Sequence, residues 1–206
     1  MLPGWCAYAA TIFIVGGTVS YIRDIRRATV TPNLVTWFLW SLAPLIAVAA
    51  QLYSGSGTTV ILTATVGLCP LIVFLYGLRR GSFKPTTFDW CCGIASVTAL
   101  VLWQISGSGV VGVLFSIAAD ALGAIPTLRK TFSHPRSESP LFFGLFAISA
   151  LVTLLTITEW SITNAAFAIY IFALYAVLYA LARYRLGLWI MQRFLRNPTS
   201  PSAADS

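Results

Sequence analysis

Residues 114–143 read LFSIAADALGAIPTLRKTFSHPRSESPLFF, a long apolar run with one carboxylate inside it, Asp120. Ser116, Asp120, Gly123, Ala124 and Thr127 fall at i−4, i, i+3, i+4 and i+7 and so share one helical face, which is small and polar. Leu114, Phe115, Ile117, Leu122 and Ile125 cover the remainder. Such a helix shows hydrocarbon on one side and a packed or wet surface on the other. Pro126 precedes a basic, turn-rich loop, and Ser139-Pro140 has the chemistry of the N-cap and first position of a following helix.

The rest of the chain has the same character. Of its 206 residues 58% are hydrophobic and 9% charged, and the mean hydropathy of +0.83 is that of an integral membrane protein. Seven mostly uncharged windows, about 4–21, 33–53, 57–78, 89–105, 108–128, 140–157 and 161–182, can each cross the hydrocarbon as a helix. The predicted fold class is therefore all-α integral membrane, with seven transmembrane helices. All 13 Lys and Arg residues fall in alternate connections: Arg23, Arg26 and Arg27; Arg79, Arg80 and Lys84; Arg129, Lys130 and Arg136; then Arg183, Arg185, Arg193 and Arg196. The Ser-Gly-Ser-Gly connections near 54–57 and 106–109 and the turn near 158–161 carry none. The positive-inside rule then sets the N-terminus outside and the C-terminus in the cytosol, with the cell (inner) membrane as the expected location.

Trp5, Trp103 and Trp160 fall near the outer boundary and Trp37, Trp90 and Trp189 near the inner one, as interfacial belts do. The net charge of +7 is divided among four short segments, so the expected partner is the bilayer and not nucleic acid. The start MLPGWCAYAATIF has no basic n-region and its positive charges follow the apolar run, the order of a reverse anchor rather than of a cleavable signal. Cys6, Cys69, Cys91 and Cys92 are too scattered for a disulfide framework. They read as small buried apolar residues, with acylation of Cys91-Cys92 as the alternative.

In chain order, Gly16-Gly17 allows close approach of a neighbouring helix, and Thr31-Pro32 suits the N-cap and N1 of the second span. That span carries Trp37 and Trp40 on one face and Pro44 in its interior; Pro44 and Pro70 each free a carbonyl, so kinks are expected there. Asp89 and Trp90 open an otherwise featureless fourth span. At an offset of 103 residues Ile25-Arg26-Arg27 lies over Leu128-Arg129-Lys130, Pro32 over Pro135, and Leu75 to Arg80 over Leu178 to Arg183. Three helices reverse the chain across a membrane, so two parallel copies need one inverting linker. The division is a first three-helix bundle over 1–80, a linker helix over 81–107, a second bundle over 108–186, and an interfacial helix with a disordered tail over 187–206. From Leu186 onward, Leu186, Trp189, Ile190 and Phe194 take one side, and Gln192, Arg193 and Arg196 another.

The order Pro126-Thr127, Arg129-Lys130, Arg136-Ser137-Glu138-Ser139-Pro140-Leu141 resembles the loop of a PQ-loop repeat, the unit of the SWEET-like (MtN3-type) seven-helix membrane transporters. Thr127 stands where that family has its glutamine, and Arg23-Asp24 occupies the motif position in the first copy. The resemblance implies the same arrangement of two three-helix bundles about a linker helix, and a solute site near the midplane between them.

Asp120 lies about 13 Å along its helix from Arg129, near the middle of a hydrocarbon core about 30 Å thick. No basic residue shares its depth, so it should be protonated or paired at rest. It is either a protonation switch or solute-binding group, or a neutral carboxyl satisfied by a neighbour's hydroxyl or carbonyl. The candidate substrate or proton-coupling residues are Asp120, Ser116, Thr127, Asn164, Tyr175 and Thr65, with Pro126 and Pro44 as hinges. Against this, Asn164 also suits a helix terminus, and Thr63, Thr65, Tyr170 and Tyr175 can bond their own helix backbone. His134 is the single histidine and sits in a loop, so no His-cluster metal site is expected; no cofactor is indicated. A hydrolase or transferase site is lacking too, with no Ser-His pairing or carboxylate cluster, so no enzyme is expected. The first reading is a transporter of a small polar solute, sugar-like or amino-acid-like, proton-linked through Asp120. The second is a non-transporting membrane receptor or assembly protein on the same scaffold. A homo-oligomer is left open.

Overall fold

In a computed structural model of the chain, residue 3 and residues 5–53, 59–81, 83–105 and 109–196 are described. The first Ser-Gly connection, residues 106–108 of the second, the expected tail 197–206 and the side chain of Trp103 lie outside them. The described residues form eight α-helices and no strand: α1 Trp5–Arg26, α2 Leu34–Tyr53, α3 Thr59–Arg80, α4 Thr87–Ile105, α5 Gly109–Ser133, α6 Pro140–Leu155, α7 Ile162–Tyr184 and α8 Leu186–Arg196. A short 3-10 turn, Pro135–Ser137, links α5 to α6. By length and composition two helices qualify to cross a membrane, over Val110–Ser133 and Asn164–Tyr184.

Helix ends follow local chemistry, with three corrections to the sequence expectations. The cap of α2 is Asn33, not Thr31: its Oδ1 accepts from the N–H groups of Val35 and Thr36, two donors the first turn leaves unpaired. α5 does not end near residue 128 but runs on to Ser133, because Pro126 removes one hydrogen bond without forbidding the turns beyond it. Ser139 does hold the N-cap position of α6, yet its hydroxyl donates to Asp24 Oδ2 at 2.7 Å, 115 residues away, instead of capping the helix. α4 starts on a reciprocal cap in which Thr86 donates N–H and hydroxyl to Asp89 Oδ2, both at 2.7 Å, while the Asp89 N–H donates to the Thr86 hydroxyl. Asp89 Oδ1 accepts from the Asn33 side chain at 2.7 Å and so ties α4 to the start of α2.

The helices pack in one pattern used twice. α3 packs on both α1 and α2, α7 packs on both α5 and α6, and neither α1 with α2 nor α5 with α6 makes a comparable contact. Between the triples α1 lies on α6 and α2 on α5, contacts that the 103-residue offset exchanges with one another. The two seams are unequal. Along α1–α6 the helices approach closely, a Cβ on Gly17 meeting the Phe146 ring at 3.3 Å, whereas Gly16 faces nothing. The α2–α5 seam is less extensive and α4 lies over it, packed chiefly on α5. α4 is not featureless, since the buried Ser96 hydroxyl donates to the Ala119 carbonyl of α5 at 2.5 Å.

The basic segments meet at one end of the bundle. Arg80 donates to the Arg26 carbonyl, Arg129 lies over the Phe88 ring at 4.7 Å, and α8 folds back onto α5. The last contact needs Gly187, where a Cβ would sit 2.1 Å from the Phe132 carbonyl oxygen. Just inside this end the core is aromatic: Tyr21, Trp37, Phe142 and Phe143 are all but fully buried, with Tyr21–Trp37 centroids at 4.6 Å and Trp37–Phe142 at 5.0 Å. Trp37 is thus a core residue and not a member of an interfacial belt, while Trp5, Trp90, Trp160 and Trp189 are each more than half exposed. Cys91 is exposed, unlike the buried Cys69 and Cys92.

Candidate functional site

Asp120 sits mid-way along α5, half-buried, because the small residues at its flanking turns leave room for α2 and α7 to approach that face. Its Oδ2 accepts a hydrogen bond of 2.8 Å from the Tyr170 hydroxyl of α7. The Trp40 indole N–H of α2 interacts electrostatically with the same carboxyl but falls short of hydrogen-bond geometry. Beside these groups lies a cavity of about 400 Å³ between the two triples. Every helix from α1 to α7 contributes to its wall, mainly from the half away from the basic end, with Leu39, Trp40, Phe146 and Tyr175 reaching it from the nearer half. On the basic side it stops against Trp40, Tyr175 and Phe146, whose rings are in sequence contact, Trp40–Tyr175 at 5.5 Å and Phe146–Tyr175 at 5.0 Å.

The expected site residues divide accordingly. Asp120, Ser116 and Tyr175 line the cavity, as does Pro44. Ser116 donates to the Gly112 carbonyl of its own helix at 2.9 Å. Thr127 is buried about two turns nearer the basic end, and its hydroxyl has no hydrogen-bond partner among the described residues. Pro126 is buried beside it within the continuous α5. Thr65 does not reach the wall, although Thr63 does. Asn164 stands apart: it is exposed in the first turn of α7, with its N–H on the Ser161 hydroxyl and its side-chain amide on the Glu159 carbonyl, the helix-terminus role. His134 is exposed at the start of the 3-10 turn.

A second constellation was not expected. Glu138, in the loop after α5, is 2% exposed. One of its oxygens accepts from the Tyr21 hydroxyl at 2.5 Å and the other pairs with Lys130 Nζ at 2.5 Å. Lys130 also donates to the Thr31 carbonyl, and the Thr31 N–H donates to the Ser137 carbonyl at 3.1 Å. With the Ser139–Asp24 bond, these contacts lace the loop of the second triple to the end of the first and close the basic end below the aromatic plug. A lone acid in a loop and a single tyrosine near a helix end give no periodic signal, so this lock leaves no mark that sequence reasoning could use.

No family model, curated protein or solved structure matches this chain. Among the described residues no group of three or more His, Cys, Asp and Glu side chains could hold a metal ion.

Proposed function

We propose that the protein is a membrane transporter of a small solute, built on the PQ-loop or SWEET-like plan of two parallel three-helix bundles about a linker helix. Seven helices, α1 to α7, span the bilayer with the basic end in the cytosol. The apolar exterior supports the spans: Ile12, Val19, Leu78, Ile94, Leu114 and Ile162 are each more than half exposed, on α1, α3, α4, α5 and α7. Water would not tolerate such surface over a whole circumference, and lipid does. The repeated packing pattern supports the duplication. The amphipathic α8, with Trp189 exposed and Arg193 over its ring at 5.2 Å, suits the inner interface.

The observation that carries transport is the cavity with Asp120 between the triples, roomy on the charge-poor side and sealed on the basic side by rings and by the Tyr21–Glu138–Lys130 lock. The described buried side-chain polar atoms without hydrogen-bond partners lend further support: apart from Glu138 Oε1, which is ion-paired with Lys130, they belong to Thr36, Trp37, Trp40 and Thr127, all on α2 and α5. Each such group costs about 1–3 kcal/mol. Their alignment from Asp120 toward the basic end fits a second state in which the α2–α5 seam opens and is hydrated. Intramembrane acids are costly and mark pathways, so Asp120 is the proton-linked group.

The test is flux into proteoliposomes, with candidate solutes chosen by thermal-shift screening of metabolite pools and driven by an imposed pH gradient. Wild type should carry a solute faster at one pH than another, and Asp120→Asn should fold, bind and lose that pH dependence. A ligand that binds and never crosses would favour the receptor reading instead.

A further inference from the structure

We propose that the ligand of this cavity is a protonated organic amine with an apolar body, held by Asp120 against the aromatic wall, rather than a sugar or an amino acid. The inference names the ligand class of the site just described and rests on that reading for its location.

The wall decides between ligand chemistries by what it lacks. It holds no Lys, Arg or His among the described residues, so a carboxylate or phosphate on the ligand would be desolvated without a counter-charge. Amino acids and phosphorylated solutes are disfavoured on that ground. A sugar presents hydroxyls around its whole rim and needs donors and acceptors in alternation. Here Ser96, Ser116 and Thr153 have already given their protons to the carbonyls of Ala119, Gly112 and Ser149, so toward a ligand they offer only oxygen lone pairs. Most of the remaining wall is hydrocarbon, with Ile14, Leu39, Leu100 and Val113 among it.

What the wall does offer fits an ammonium group. Tyr170 anchors Asp120 Oδ2 and fixes the carboxyl, and the Trp40 indole N–H beside it falls short of hydrogen-bond geometry, so the carboxylate keeps acceptor capacity for a ligand. Trp40, Tyr175 and Phe146 form a continuous set of rings beside it, and ring faces attract cations. An ammonium donates hydrogen bonds and accepts none, which matches the Asp120 carboxylate and the hydroxyl oxygens whose protons are already placed, while the Trp40 indole N–H, a donor on this wall, interacts with Asp120 itself. Its hydrocarbon body would cover apolar wall that a hexose would leave against hydroxyls.

Proton linkage follows without a further residue. Ammonium and proton compete for one carboxylate, so amine affinity falls as pH is lowered. The titratable groups facing Asp120 are Tyr170 and Tyr175 of α7; α2 and α4 face the cavity with Leu39, Trp40, Ser96 and Leu100, none of which titrates. α8 packs on α5 at the far, basic end. A carrier with this site exchanges one proton for one amine cation.

The test uses the full-length purified protein and four probes: 2-phenylethylamine, its neutral isostere 2-phenylethanol, phenylacetate and glucose, with binding read by calorimetry. The amine should bind about tenfold or more tighter than the alcohol, as expected for a charge-assisted hydrogen bond, and phenylacetate and glucose should not bind. Amine affinity should drop as pH is lowered while that for the alcohol stays level. In Asp120→Asn the preference for amine over alcohol should collapse to about one. The wild-type series alone keeps the claim open to refutation if that variant fails to fold: equal binding of amine and alcohol, or tighter binding of glucose or phenylacetate, overturns it. Vesicle flux separates the two readings. Amine binding without flux removes transport and leaves the ligand class, and proton-linked flux of a neutral solute through a protein that ignores the amine does the reverse.

Discussion

Ala28 adopts φ of +54° where α1 ends, and around it the Thr29 N–H reaches the Asp24 carbonyl at 3.0 Å while its own N–H reaches the Ile25 carbonyl at 3.0 Å. This is the paired closure of a Schellman end, which wants glycine at the left-handed position because any Cβ there crowds the following carbonyl. Ala28→Gly should therefore stabilise the protein by about 0.5–1 kcal/mol, the relief of strain exceeding the added freedom of the unfolded chain. A higher midpoint in thermal unfolding in detergent is the expected readout. At the same scale Asp120 was recognisable from its neighbours four, three and seven positions away. Its partner Tyr170 is 50 residues distant and was one of several tyrosines that could equally have bonded their own helix.

At the scale of elements, the junctions at the basic end carry the specificity. Glu138→Gln removes the charge facing Lys130 and should cost about 3 kcal/mol, the low end for a broken buried pair, since the lysine is 22% exposed and can turn to water. Tyr21→Phe removes one hydrogen bond to a carboxylate that keeps its cation and should cost less, about 1–2 kcal/mol. Unfolding of the two variants in parallel checks the order, and equal losses would mean that the lock is not centred on the ion pair. Gly187→Ala should lift α8 from α5, because the added carbon has no space beside the Phe132 carbonyl. Trypsin cleavage at Arg193 should then quicken, with α1 to α7 unaffected in circular dichroism. The helices themselves were legible from hydropathy to within a few residues. α5 was foreshortened by about one turn because the uncharged window stops at the charged Arg129-Lys130 while the helix continues, and the cap of α2 was placed two residues early because Thr31 and Asn33 have similar chemistry.

For the molecule as a whole, the topology proposal makes two checks. A reporter fused after Leu195 should be active in the cytosol, and one inserted near residue 107 should give the external signature; the opposite result at either site removes the seven-span arrangement. In the bilayer-embedded protein α1–α3 should superpose on α5–α7 by rotation about the membrane normal, with α4 outside that axis, as cryo-electron microscopy in nanodiscs would show. The present packing already departs from strict symmetry, since α4 covers one seam and walls the cavity while the α1–α6 seam is closed on Gly17. The offset that sets Asp120 over Gly17 makes the same point in sequence: the acid and the close approach occupy equivalent positions in the two copies.

The sequence by itself determined the apolar helices, the alternation of basic connections and the presence of one acid in the middle of a small-residue face. These are properties of short stretches, carried by hydropathy and by a period of 3.6, and they need no partner to be read. Tertiary structure alone decided which faces turn inward, that Trp37 is core and Trp90 is surface, that Glu138 is buried while its neighbour Arg136 is exposed, and that Asp120 opens on a cavity with rings beside it. The reason is physical. A helix that is apolar all round does not encode its inner face in hydropathy, because core and lipid are equally good solvents for hydrocarbon. The choice rests instead on steric fit and on hydrogen bonds between residues as far apart as Tyr21 and Glu138, 117 positions in the chain, which no local pattern can register.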